Sequence, residues 1–175
     1  SIFVNPTQFN NLYDYNNYPR NPEEDIILLK KANADLLFFP SDQDLYPSEI
    51  KSQKTIFDYR GILCDKFRPG HFDGVTTVVK SLFNLVNPDN AFFGEKDYQQ
   101  LKLIQKIVEK DNLSIFIHPC VSIRMKNGMS FSSRYNNFNL SKKNIFIESA
   151  KIIMINLKNL RKKIDSVCLK NIKKS

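Results

Sequence analysis

Between residues 91 and 104 the chain reads AFFGEKDYQQLKLI, an apolar run that passes into a helical pattern. The joint carries Gly94, Lys96 and Asp97, and Gln100 follows within a turn. Glycine has no Cβ, so a ligand can approach its backbone closely. A lysine offers phosphate a mobile point charge. An aspartate accepts hydrogen bonds from sugar hydroxyls, and a helix N-terminus adds positive potential at the same place. Together these are the parts of a nucleotide site. Taken alone, the four residues also suit a helix cap beside a solvent-facing lysine. A second stretch, SFSSR at 130–134, sets Ser132 and Ser133 beside Arg134. Hydroxyls and a guanidinium can cradle a triphosphate and follow its charge as it leaves. Asn5 and Gln8 follow the first apolar run, and RPGHFDG at 68–74 holds His71, a candidate ligand or base. Neither histidine has a metal-ligand partner at useful spacing, and no Ser/His/Asp or Cys/His arrangement stands out.

These residues need a scaffold that gathers loop ends on one edge. Four short apolar runs recur, SIFV (1–4), DLLFF (35–39), AFF (91–93) and SIFIH (114–118). They do not alternate with polar residues, as expected of strands covered on both faces. Helical patterns separate them. Asn21-Pro22-Glu23-Glu24-Asp25 is a helix start with a cap, an N1 proline and acids at the positive dipole end. That helix should reach Asn33. A second should span 73–87 and stop at Pro88, and a third should span Asp97 to Asn112 with Leu101, Ile104, Ile107 and Val108 on one stripe. Alternating strands and helices of these lengths predict a parallel α/β sheet, where ligands collect at the carboxyl ends of the strands. Asn10–Tyr18 has no period and reads as a mobile loop, and 124–140 as a turn and loop. A new helix starts near Ser141, where composition shifts, so a boundary is expected near 140. This divides the chain into 1–140 and 141–175.

Composition narrows the class. The chain has 175 residues, of which 42% are hydrophobic, enough for one substantial core. Its formal charge is +8, and residues 141–175 carry that entire excess. A basic tail suits RNA or an acidic membrane surface. No stacking aromatics or nucleic-acid module accompany it, so a solvated lysine-rich helix is expected and a nucleic-acid partner is not. Cys64, Cys120 and Cys168 have neither metal nor redox spacing and read as free thiols of a reducing compartment. With no signal peptide and no apolar run of membrane-spanning length, a cytoplasmic protein is expected.

Read together, FVNPTQF, YPR, DLLFFPS, LYP, RPGHFDGV, FGEKDYQQL and SSR resemble the pantoate–β-alanine ligase (pantothenate synthetase) family, in that family's order and across residues 1 to about 140. The resemblance implies a Rossmann-like parallel sheet of the nucleotidylyltransferase superfamily, a smaller C-terminal domain and a homodimer. It implies ATP-dependent condensation of pantoate with β-alanine, with Mg²⁺, through pantoyl adenylate. By motif, Gln8 and Gln100 would hold pantoate, with Asn5 beside them. Gly94 and Asp97 would meet the ribose. Lys96, Ser132, Ser133 and Arg134 would form the triphosphate cradle and carry the catalysis, and Ile123 would meet adenine. Arg68 and His71 match an RPxHF element of structural or site-bordering character. The generic alternatives are another nucleotidylyltransferase, which does not need both glutamines, and a non-catalytic interaction module. Two departures from the family pattern stand out. A His-x-Gly-His signature is absent from these residues, and the portion after 140 is short. The expectation is therefore a family fragment with a truncated C-terminal domain, and little turnover from the 175 residues alone.

Overall fold

The computed structural model describes residues 1–47, 58, 60–132, 135 and 138–172, with side chains through 163. Backbone contacts divide the chain into Ser1–Val121 and Ser122–Ser175. The first unit opens with a 3₁₀ turn, Pro6–Gln8, followed by helices α1 (Leu12–Asn16), α2 (Pro22–Lys31), α3 (Asp42–Leu45), α4 (Leu63–Phe67) and α5 (His71–Val86). Strand β1 (Asn90–Gly94), a 3₁₀ turn at Glu95–Asp97, α6 (Tyr98–Lys110) and β2 (Phe116–Cys120) complete it. The second unit carries α7 (Leu140–Ile172).

β1 and β2 run parallel, in register from Asn90 opposite Phe116 to Gly94 opposite Cys120. A parallel pair needs a crossover, and α6 supplies it. The core forms where α5 and α6 meet the inner face of this pair. Phe72, Val75, Val78, Val79 and Phe83 of α5 are buried with Leu103, Ile104 and Ile107 of α6, and Ala91, Phe93 and Ile117 pack against them. Val75, Val78 and Val79 with two threonines inside α5 are unusual for a helix, because β-branched residues lose χ1 freedom there. Burial of the valines offsets that cost. The threonines bond back along the helix, Thr76 Oγ1 to Phe72 O at 2.8 Å and Thr77 Oγ1 to Asp73 O at 2.7 Å. Asn87 ends α5 in the left-handed region, φ 45°, with its N–H on Phe83 O at 2.8 Å. An ion pair between Lys80 and Asp111, 2.6 Å, ties α5 to the end of α6.

The α/β class and the parallel sheet agree with the sequence reading, and several details differ. Only two of the four apolar runs enter a ladder among the described residues. The runs at 1–4 and 35–39 meet through one backbone bond, Ile2 N to Phe38 O at 3.0 Å. One such bond fixes a crossing point, and among the described residues the rest of each run forms no ladder. The expected covering of both faces is also not found among the described residues. Phe92 is 69% exposed and Phe116 73%, because α5 and α6 both pack on the opposite side. β2 begins two residues later than the run at 114–118. Leu113 and Ile115 first pack against the core, and Phe116 N then enters on Asp89 O at 2.8 Å. Pro119 is tolerated within β2 because, among the described residues, only β1 pairs with it.

Asn10–Tyr18, expected as a mobile loop, contains α1. Asn11 caps it by accepting from Tyr13 N at 2.7 Å, and Phe9 packs edge-on against Tyr15 and Tyr18 with centroids 5.3 and 5.5 Å away. A five-residue helix is too short to show a period, so hydrophobic patterning misses it. α2 starts at Pro22 as expected, although Asn21 does not cap it through its side chain. Asn21 Nδ2 instead donates to Glu24 Oε2 at 2.6 Å. In the second unit, Arg124 and Ser130 form an antiparallel bridge around a turn in which Gly128 takes φ 87°. Phe146 of α7 lies edge-on to Phe138 at 5.5 Å. Among the described residues no helix is long and apolar enough to cross a membrane.

Gly74 is the most closely approached glycine among the described residues. A Cβ there would lie 2.3 Å from the backbone oxygen of Thr7, so α5 and the Pro6–Gln8 turn meet only through a glycine. Gly74→Ala should push the turn off α5 and destabilise the protein by about 1–3 kcal/mol, the usual cost of overpacking. Urea unfolding measures this directly, and an unchanged midpoint would show that the turn yields freely.

Candidate functional site

The turn seated on Gly74 carries two of the sequence-predicted site residues. At its start Asn5, only 2% exposed, is the centre of a buried knot. Asn5 Nδ2 donates to Gly74 O at 3.2 Å. Its Oδ1 accepts from Thr7 N (3.2 Å), Thr7 Oγ1 (2.9 Å) and the Tyr46 hydroxyl (2.9 Å). A buried amide with both ends engaged fixes backbone geometry. In this structure Asn5 holds the turn in place. Burial raises the Tyr46 pKa above that of an ordinary tyrosine, which keeps the phenol a neutral donor to Asn5.

At the end of the turn the backbone of Gln8 is held by the RPGH segment. Pro69 and Gly70 are the two central residues of a β-turn closed by His71 N to Arg68 O at 3.1 Å. Gly70 sits at φ 79°, ψ −12°, the third-residue conformation of a type II turn, for which Pro-Gly is the favoured pair. The turn brings the side chains of Arg68 and His71 together. His71 Nδ1 lies 2.8 Å from Gln8 O, Arg68 Nη2 donates to the same oxygen at 3.2 Å, and Arg68 Nη1 lies 3.2 Å from His71 Nε2. The side chain of Gln8 is half-buried and makes no hydrogen bond among the described residues.

The opening signature lies where the carboxyl end of β1 meets α6. Gly94 ends the strand at φ −69°, ψ 134°, a conformation open to any residue. Nothing lies within 4 Å of where its Cβ would be. Neither backbone strain nor a protein neighbour requires a glycine there. Asp97 occupies the N-cap position of α6 yet makes no side-chain capping bond, so capping does not account for it. Lys96 is exposed and has no ion pair among the described residues. Gln100 is half-buried in the first turn of α6.

Its neighbour Gln99 does something else. Gln99 accepts from Cys64 N at 2.9 Å and donates to Ile62 O at 3.1 Å. The amide thus spans Leu63, whose φ of 48° is costly for a branched side chain. Adjacent glutamines look alike in sequence, and only the packing separates the brace of Gln99 from the half-buried amide of Gln100. His118 is also engaged, stacked on Phe92 at 4.7 Å between centroids and 2.7 Å from Asn90 Oδ1 through Nε2. The joint hold of Arg68 and His71 on Gln8 O is hard to see in sequence. Its sequence signal is Pro-Gly between two side chains that a type II turn makes neighbours.

In the second unit Ile123 is exposed, 80%, immediately before the bridged turn. Arg124 braces that turn by donating Nη1 to Gly128 O at 3.0 Å. Ser132 is half-buried, whereas Ser133 and Arg134 lie outside the described residues. Cys168 also lies beyond the described side chains, and Cys64 and Cys120 are free thiols. Among the described residues no group of three or more His, Cys, Asp or Glu could hold a metal ion.

The parallel α/β fold, with an open glycine and a helix N-terminus at the strand end, is of nucleotidylyltransferase type, as in its solved neighbours. The family model for pantoate-beta-alanine ligase matches residues 1–175. The chain therefore belongs to the pantoate–β-alanine ligase family. It is 48% identical to the pantothenate synthetase of Caldicellulosiruptor bescii over 134 residues, which cover 77% of this chain and 48% of that protein. Against the pantothenate synthetase of Buchnera aphidicola subsp. Acyrthosiphon pisum (strain APS) it is 44% identical over its whole length, spanning 62% of that relative. The crystal structure of the Francisella tularensis pantoate-beta-alanine ligase, complexed with beta-gamma ATP and beta-alanine, superposes with a TM-score of 0.84 at 39% identity. That match covers 94% of this chain and 65% of the other. The chain thus spans about half to two thirds of the length of these relatives.

The Asn5 knot makes a prediction about alkaline stability. A phenol whose pKa is raised on folding adds stability below about pH 10, its unfolded value, and that increment is lost as pH rises through the folded value. Stability should therefore drop above pH 10, and Tyr46→Phe should make that drop shallower. Urea midpoints at pH 8 and pH 11 for both proteins test it, with equal drops as the contrary result.

Proposed function

We propose that this chain carries the ATP- and pantoate-binding part of a C–N bond-forming ligase that makes pantothenate from pantoate and β-alanine, releasing AMP. The observation that carries the reading is the FGEKDYQQL signature at the carboxyl end of a parallel strand, in a chain that belongs to this family. In the first step a pantoate carboxylate oxygen attacks the α-phosphate of ATP, giving pantoyl adenylate and pyrophosphate. In the second the amine of β-alanine attacks the acyl carbon and AMP leaves. Such chemistry needs positioning and charge neutralisation more than a protein nucleophile.

The residues divide that work by type. Gln8 and Gln100 hold the hydroxyls and carboxylate of pantoate, and Asn5 keeps the Gln8 turn in register beside them. The open space at Gly94 and the unengaged carboxylate of Asp97 suit the ribose. Lys96 neutralises triphosphate charge at the N-terminus of α6, where the helix dipole adds to it. From the second unit, Ser132, Ser133 and Arg134 are assigned to the triphosphate and Ile123 to adenine on the family resemblance alone. Mg²⁺ enters as the ion carried by ATP, coordinated largely by phosphate oxygens. The same resemblance supports a homodimer, residues 1–140 as the nucleotide- and pantoate-binding portion and 141–175 as the start of a C-terminal domain. The scattered free thiols support a cytoplasmic location.

Lys96→Ala and Arg134→Ala should weaken MgATP binding by about tenfold or more each and AMP binding much less, since each removes a charge-assisted contact worth about 1.5–3 kcal/mol. Calorimetric titration of the purified protein with both nucleotides decides it, and equal losses would place these residues away from the β- and γ-phosphates. Gln100→Ala should weaken pantoate binding by about tenfold, the cost of leaving a substrate group unpaired, with MgATP binding near normal. Unchanged pantoate affinity would remove Gln100 from the site.

A further inference from the structure

We propose that Arg68 and His71 are positioning residues for the pantoate side of the site, acting only through the backbone of Gln8; this rests on Gln8 being a pantoate contact. The three groups form a closed ring of hydrogen bonds around one carbonyl oxygen. Arginine offers only donors and keeps its proton, and the Gln8 carbonyl offers only an acceptor. The imidazole must therefore present N–H at Nδ1 toward Gln8 and a lone pair at Nε2 toward Arg68. One neutral tautomer satisfies all three edges. A protonated ring would set N–H against N–H and charge against charge at Arg68.

The arrangement has a purpose beyond local stability. The Pro6–Gln8 turn is short and only half-buried, so its end needs holding. Its start is fixed by Asn5, which donates to Gly74 O and accepts from Thr7 N at 3.2 Å; among the described residues its further backbone bonds are Gln8 N to Asn5 O at 3.4 Å and Phe9 N to Pro6 O at 3.2 Å. Both are long. The Arg68–His71 pair supplies two further bonds to the Gln8 carbonyl, adjoining the Cα that carries the substrate-facing amide. His71 is itself 6% exposed and belongs to the first turn of α5, so the rigid helix sets the position of the carbonyl. Fixing a carbonyl fixes the direction in which its side chain leaves the backbone. A misplacement of about 1 Å in a positioning group can cost 10²-fold in rate. Neither Arg68 nor His71 needs to touch the substrate for its loss to be felt there.

Equilibrium binding of pantoate and of MgATP to the purified protein, its His71→Ala, His71→Asn and Gln8→Ala variants, and the Gln8→Ala/His71→Ala double variant tests this. Asparagine places an amide N–H near the position of Nδ1 and should keep the bond to Gln8. The expected result is a loss of about tenfold in pantoate affinity for His71→Ala, recovery to within about threefold for His71→Asn, and MgATP affinity unchanged within about twofold. The double variant should bind pantoate no more weakly than Gln8→Ala alone, because His71 has nothing to position once the amide is gone. Additive losses, or equal losses for both ligands, would overturn the positioning role while leaving the proposed function standing. Absence of pantoate binding by the unmodified protein would overturn both.

Discussion

The first unit depends on a close approach between two backbones. The carbonyl of Thr7 and the Cα of Gly74 are so near that no side chain fits between them. That approach lets the Asn5 amide reach Gly74 O, and it seats the Pro6–Gln8 turn on the most buried helix of the unit. It also brings Gln8 O within reach of the Arg68–His71 pair at the head of the same helix. One glycine thus links core packing to the placement of a candidate substrate contact. α5 is both the centre of the core and the platform for the turn, so changes that loosen the core should be felt at Gln8.

A different logic governs the second cluster. At Gly94, Lys96 and Asp97 the structure shows groups that the fold itself does not use: an open space, a charge without a partner among the described residues and a cap position whose carboxylate does not cap. Water satisfies these exposed groups, so nothing in the fold calls for this set, and its place at the carboxyl end of a parallel strand suits a ligand. Around Gln8 the reverse holds. Nearly every neighbouring group is satisfied, and the amide of Gln8 is the exception. Gln8 thus couples a firmly held backbone to an unengaged side-chain amide.

Much of this was legible in the sequence. The helix starting at Pro22, the long helices after Gly70 and Asp97, and the parallel pairing of the runs near 91 and 116 follow from caps, prolines and apolar spacing. The nucleotide-site character of GEKD follows from residue chemistry. Other features were hidden because they are made by tertiary contacts. Asn5 reads as a site residue in sequence, and its knot with Tyr46 and Gly74 spans 41 and 69 residues. Gln99 and Gln100 are distinguishable only once Gln99 is seen bracketing Leu63. The aromatic residues of 10–18 read as a loop because a five-residue helix capped by Asn11 has no period to detect. The runs at 1–4 and 35–39 read as strands from composition, which registers hydrophobicity and not whether a ladder forms.

The most direct test of the central claim, that these two clusters serve one chemistry, is a crystal structure of the protein soaked with pantoate and a non-hydrolysable ATP analogue. The account predicts pantoate density against the amides of Gln8 and Gln100, phosphate density beside Lys96 and ribose density over Gly94. Both ligands ordered elsewhere, with Gln8 and Lys96 unchanged and facing solvent, would contradict it.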